Sequence, residues 1–179
     1  MFKSNRIRAK WNDDEYPDEN PVRKIDYGPE PYVTNIEEDT VQNKYFRRAL
    51  WTGEHLQLTL MSIPVNGEIG LEIHPDTDQF LRIEEGTGIT VMGDKEDNLP
   101  FRKWVYPGYA VFIPAGTWHN LVNMGRTPIK LYSIYAPPQH PRGTVHRTKE
   151  EAEEAEKTAF EINKQNMDDE VSYPRFNMK

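Results

Sequence analysis

Cysteine is absent from this chain of 179 residues. That absence excludes disulfide scaffolds, thiolate-ligated zinc, iron–sulfur clusters and cysteine nucleophiles. Any metal site must use His, carboxylate or amide ligands. Apolar residues are scarce too, at 36%, so the core is expected to be smaller than the chain, with some segments solvated. No run approaches the roughly 18 apolar residues that would span a bilayer. Positive charge is in deficit: 22 Lys and Arg against 29 Asp and Glu give a net charge of −7. A phosphate backbone needs a basic face, so nucleic acid is not the expected partner. Met1 to Lys10 are basic but lack the apolar stretch of a signal peptide. There is no G-x-S-x-G elbow, P-loop or G-x-G-x-x-G, and Gly86-Thr-Gly88 reads as a hairpin turn. The expectation is a soluble cytoplasmic protein of one domain, with arms at its ends.

What is present falls into three zones. Residues 1–45 are charged and broken by Pro17, Pro21, Pro29 and Pro31. Trp11, Tyr16, Tyr27 and Tyr32 suggest an arm lying on a surface. Residues 46–136 read as short strands, at 55–63, 71–74, 78–84, 88–92, 101–106, 110–113, 118–122 and 129–135. In the first of these, Leu56, Leu58 and Leu60 share one face. Turn signals separate the strands, such as Asn66-Gly67 and Pro107-Gly108. Many short strands at regular spacing predict an all-β antiparallel barrel or sandwich. Residues 137–179 hold a linker, a helix and a tail. The helix is expected over 148–166, with Thr148 and Glu151 as a capping box. Its apolar stripe is Ala152, Ala155, Ala159 and Ile162. Tyr173, Phe176 and Met178 are candidates to pack on the barrel.

The chemistry concentrates in two segments. Glu72 and His74 are two apart on an expected strand, so both project from one face. With Gln79 inward, Leu81 and Ile83 are buried and Arg82 and Glu84 exposed, the sensible phase for a barrel wall. Past the turn at Pro114-Ala-Gly116, the residues Thr117, His119 and Leu121 share a face. Glu72, His74, Gln79 and His119 thus converge on one interior. Two imidazoles, one carboxylate and one amide oxygen suit a divalent ion such as Fe, Mn, Zn or Ni.

These residues carry a family resemblance. Gly108, Pro114, Gly116, His119 and Asn123 match every fixed position of G-x5-P-x-G-x2-H-x3-N, the second cupin motif. The stretch from Gly67 to Gly86 resembles the first cupin motif, G-x5-H-x-H-x4-E-x6-G. There His74 and Gly86 match, Glu72 stands at the first His and Gln79 at the Glu, and Gly67 lies one residue early. The resemblance covers roughly residues 46–136. It implies a cupin-type β-barrel of jelly-roll topology with its ligand pocket inside. Leu71-Glu-Ile-His-Pro-Asp76 is also similar to the Q-x-H-P-x-D segment of cupin-type mannose-6-phosphate isomerases, with Glu72 in place of Gln. Those enzymes bind metal through one amide, one carboxylate and two His, but this chain shows no second cupin domain and no obvious phosphate-binding cluster.

The resulting expectation is a metal on Glu72, His74 and His119, with Gln79 as a fourth or outer ligand. The catalytic base is unknown. Asp76 and Asp78 read as turn residues, Asn123 as a turn-fixing residue, and His140 and His146 as structural. His55 and Gln57 either flank the pocket or lie on the surface. Leu71, Ile73, Phe80 and Phe112 form an outward apolar surface to be covered by the arm or by a second subunit, and a homodimer is the better expectation. Two functions of different class stay open. One is a metal-dependent enzyme on a small organic substrate, a sugar isomerase or a dioxygenase. The other is a non-catalytic barrel that binds a sugar or metabolite. The exchanges at two ligand positions favour the second somewhat.

Overall fold

The structure, a computed structural model, describes residues 26–158. Its strands are β1 (Arg47–Thr52), β2 (Gln57–Ile63), β3 (Asp78–Glu85), β4 (Gly88–Gly93), β5 (Phe101–Val105), β6 (Ala110–Ile113), β7 (Trp118–Asn123), β8 (Ile129–Ala136) and β9 (Val145–His146). All pair antiparallel, in a six-stranded sheet of order β6-β3-β8-β2-β1-β9 and a three-stranded sheet of order β5-β4-β7. The two sheets form a jelly roll. They face each other across a core and are not joined into one closed hydrogen-bonded barrel.

The expected strands lie where the turn chemistry put them, with one exception. The segment 71–74 forms no ladder. It pairs with β7 through the isolated bridge of Glu72 with His119, as Glu68 just before it does with Val122. Three elements were not anticipated: β1, which begins at Arg47, the two-residue β9, and a short helix α1 (Ile36–Gln42) that lies within the proline-rich arm, beyond the last of its prolines. Asn35 caps α1, its side-chain oxygen accepting from the Glu38 N–H at 3.3 Å.

β2 corrects the expected importance of its leucine face. Gln57, Thr59, Met61 and Ile63 point inward and are fully buried, while Leu56 is exposed and Leu58 only half-buried. Leu60 is buried on the outer face because α1 packs over β2, β3 and β8 there. With both faces of β2 partly covered, leucine alternation cannot tell inside from outside.

The arm is tied down by Asp26. Its carboxylate accepts from the N–H groups of Gly28, Thr52 and Gly143 and from the Thr52 hydroxyl, at 2.6–3.0 Å. Residues 149–158 form a second helix, α2. The Glu151 N–H donates to the Thr148 hydroxyl at 3.3 Å, and the Glu151 carboxylate accepts from the Arg147 N–H at 2.6 Å. Ala152 is buried, but Ala155 is exposed, so the expected stripe is narrower here. The rest of that stripe, the tail aromatics, Trp11 and Tyr16 lie outside the described residues. Among the described residues no helix is long and apolar enough to cross a membrane.

Candidate metal centre

Glu72 and His119 are held side by side by backbone. The Glu72 N–H donates to the His119 carbonyl at 3.0 Å, and the His119 N–H returns to the Glu72 carbonyl at 2.9 Å. This reciprocal antiparallel pair sends both side chains to one face. The Gly116 N–H donates to the His74 carbonyl at 2.8 Å, which fastens the turn before β7 to the ligand segment. Gly116 has φ +74°, a backbone that side chains with a Cβ rarely adopt. Asp78 assists from β3, accepting from the Ala115 N–H at 2.8 Å, so it is a turn residue as expected.

The three side chains converge. One oxygen of Glu72, Oε1, lies 3.4 Å from His74 Nε2 and 3.3 Å from His119 Nε2. The ligand atoms of Glu72, His74 and His119 all lie within 4.8 Å of one another. His74 and His119 are buried. His119 Nδ1 sits 2.8 Å from the Thr117 carbonyl, a contact that requires the proton on Nδ1 and turns Nε2 toward Glu72. Gln79 is buried on β3 as expected, its Nε2 donating to Ser133 Oγ at 3.0 Å. Glu72 Oε1, His74 Nε2, Gln79 Oε1 and His119 Nε2 are all shut from solvent with no hydrogen-bond partner among the described residues. Buried polar atoms are normally paired, and four such atoms of metal-ligating type in one interior fit a divalent cation.

The other oxygen of Glu72 is committed. Arg47, 1% exposed, lies 3.4 Å from Glu72 Oε2 and 3.0 Å from Glu156 Oε1 on α2. Burial alone would raise the Glu72 carboxyl, but His119, His74 and Arg47 outweigh it and hold it well below the usual carboxylate range. The sequence reading missed Arg47, because an Arg beside another Arg ahead of an unrecognised strand carries no ligand signature.

Gln57 takes the inward one of its two expected places, with His140 beside it. Gln57 is buried and clamps the loop after β8 by accepting from the His140 N–H at 2.9 Å and donating to its carbonyl at 2.8 Å. His140, expected to be structural, places its ring 5.0 Å from that of Tyr135, which lies 5.6 Å from His74. His140 Nε2, Tyr135 OH and His146 Nδ1 are buried without partners among the described residues. His55 is exposed. Asn123 fixes the turn after β7, donating to the carbonyls of Ile63, Pro64 and Thr127 and accepting from the Gly125 N–H.

Comparison with known proteins agrees with this fold. A family model described as the cupin domain matches residues 59–135. The uncharacterized protein YrkC of Bacillus subtilis is 60% identical over 141 residues, covering 79% of this chain and 75% of YrkC. Protein L612 of Acanthamoeba polyphaga mimivirus is 44% identical over 115 residues, covering 64% of this chain and 70% of L612. The crystal structure of BH2720 from Bacillus halodurans superimposes with a TM-score of 0.71 at 64% identity, covering 72% of this chain and 97% of that one.

Proposed function

This chain belongs to the cupin superfamily, and within it we propose a metal-dependent enzyme acting in the cytoplasm on a small organic substrate. The observation that carries the reading is the set of four buried, unpartnered ligand atoms on Glu72, His74, Gln79 and His119. Glu72, His74 and His119 hold the ion, Fe, Mn, Zn or Ni, and Gln79 is its fourth or outer ligand. A divalent ion there supplies Lewis-acid polarisation of a carbonyl or hydroxyl, or, as Fe(II), redox chemistry with O₂. The chain's own residues prepare the site. Thr117 fixes the His119 tautomer, Arg47 orients the Glu72 carboxylate, and Gly116 locks the turn against His74.

Isomerase and dioxygenase chemistry make different demands on oxygen. Elemental analysis of untagged protein purified without chelator is the first test, with near-stoichiometric metal expected. Iron directs the assay to O₂ uptake, and zinc or manganese to sugar isomerisation. No bound metal, and none taken up on reconstitution, sinks the reading.

A second reading, a non-catalytic binding barrel, has one observation in its favour. Beyond the ligand set, the interior wall offers the neutral Tyr135 and His140, and burial pushes the His140 imidazole down to about 2. That makes it a weak general base. Substrate turnover of any kind by the metal-loaded protein would exclude this second reading.

A further inference from the structure

A cavity lies across the large sheet from Glu72. Arg47 and Arg48 are consecutive on β1. Arg47 turns inward to Glu72, and Arg48 sits on the outer face, in register with Leu60 on β2 and Val145 on β9. α1 walls the cavity on one side, and the segment that enters α2 walls it on the other. The enclosed volume is about 630 Å³, within the size range of small-molecule sites.

Three cations line it from distant parts of the chain: Lys44 after α1, Arg48 on β1 and Arg147 before α2. That separation hides the cluster in the sequence. None of the three makes an ion pair or a side-chain hydrogen bond among the described residues. Arg48 is half-buried, so its guanidinium has lost part of its water without gaining a partner. The two carboxylates of the lining each already accept a hydrogen bond, Asp39 from the Thr34 hydroxyl and Glu151 from the Arg147 backbone N–H. The positive field reaches Lys130 nearby. Its ammonium is held below its ordinary value, by burial above all, with Glu85 opposing and Lys44 adding to the shift.

Gathering like charges around one hollow costs free energy that an anion between them repays. Three cations against two carboxylates suit a ligand of one or two negative charges. They disfavour a polyanion such as nucleic acid, as does the chain's net charge of −7. Two arginine forks match the planar edge of a phosphate or carboxylate group. Val145 and the part-exposed Tyr45 offer contact to a carbon body. We propose that this cavity is a ligand site separate from the metal centre, taking a small organic oxyanion, a phosphate ester or a carboxylate, on Lys44, Arg48 and Arg147. It goes beyond the reading of the metal site and does not rest on it.

The test is calorimetric titration of the full chain, metal-loaded and metal-free, with glycerol 3-phosphate and with succinate, and with glycerol as the neutral control. At least one oxyanion is expected to bind with a Kd of about 1 mM or tighter, and more weakly as salt is raised. The tighter of the two tells a phosphate ester from a carboxylate. Arg48→Gln and Arg147→Gln are each expected to weaken binding about tenfold, the loss of roughly one charge-assisted hydrogen bond, with metal content unchanged. Lys44→Gln, at an exposed position, supplies the same comparison should Arg48→Gln not fold. No binding of either oxyanion, equal binding of glycerol, or affinities unmoved by these variants overturns the proposal. In that last case the cations are a solvated face. Binding that vanishes when metal is removed places the anion on the metal and also overturns it. Oxyanion binding by a protein unable to take up metal leaves this proposal standing and sinks the metal reading.

Discussion

Glu72 does two jobs, and a substitution there reports on both. Oε1 faces the imidazoles and Oε2 faces Arg47. Removing the carboxylate strands a buried guanidinium that keeps only Glu156, whose side chain is 53% exposed. Glu72→Gln is therefore expected to lose metal and also about 2 kcal/mol of stability, less than for a fully orphaned buried charge because Glu156 remains. His119→Ala removes a proposed ligand without disturbing that ion pair, so it is the cleaner probe. Its metal content is expected to fall at least tenfold, read by mass spectrometry, with a smaller shift in the urea midpoint. Full metal retention in His119→Ala would mean that the site is misassigned. The convergence of Glu72, His74 and His119 was legible because two-residue spacing on a strand and the G-x5-P-x-G-x2-H-x3-N turn each determine where side chains point. Arg47, Tyr135 and His140 were not legible. They reach the interior from distant strands and loops, and nothing local in their neighbourhoods marks an inward face.

At the scale of elements, turn chemistry carried most of what could be read. Gly and Asn at the strand ends located seven of the nine strands to within a residue or two. Of the elements that escaped, α1 and β1 begin inside or beside the charged, proline-rich arm, where composition suggests solvation, and β9 is only two residues long, in the linker. An Asn35–Glu38 cap signal was present but sits before only a two-turn helix. Asp26 explains why the arm is held: four donors from three separate segments meet on one carboxylate. Burial would raise this carboxyl, but the Thr52 hydroxyl and the N–H groups of Gly143, Gly28 and Thr52 lower it below its ordinary 3.8. Because the folded-state value is depressed, its stabilising contribution is complete above the ordinary value and is lost as the pH falls through the lowered one. Asp26→Ala is expected to cost about 2 kcal/mol near neutral pH, and the gap from the unaltered protein should close in acid. Urea midpoints measured at about pH 7 and about pH 3 check this. An equal gap at both would show that the hydrogen bonds do not depend on the charge.

For the whole molecule, the question is what covers the aromatic side. α1 shields the outer face around Leu60, but Phe112 is 70% exposed on β6, the outer strand of the large sheet. Trp104 on β5, the outer strand of the small sheet, and Tyr109 between them are about half exposed, at 49% and 50%. Two strand edges thus flank one apolar groove. Unpaired edges beside exposed aromatics are an association surface that monomers usually blunt with charge or proline. A second copy of this chain suits the groove, since an isologous contact would pair aromatic with aromatic across a two-fold axis. The expected result from sedimentation equilibrium is a dimer. Trp104→Glu and Phe112→Glu together are expected to shift it to monomer, because each new charge would have to be desolvated in the contact. Glu72, His74 and His119 converge within one chain, so metal content should be the same in the dissociated variant. A monomeric unaltered protein at micromolar concentration would count against the homodimer, and would leave the Phe112 side of the fold for a partner of another kind.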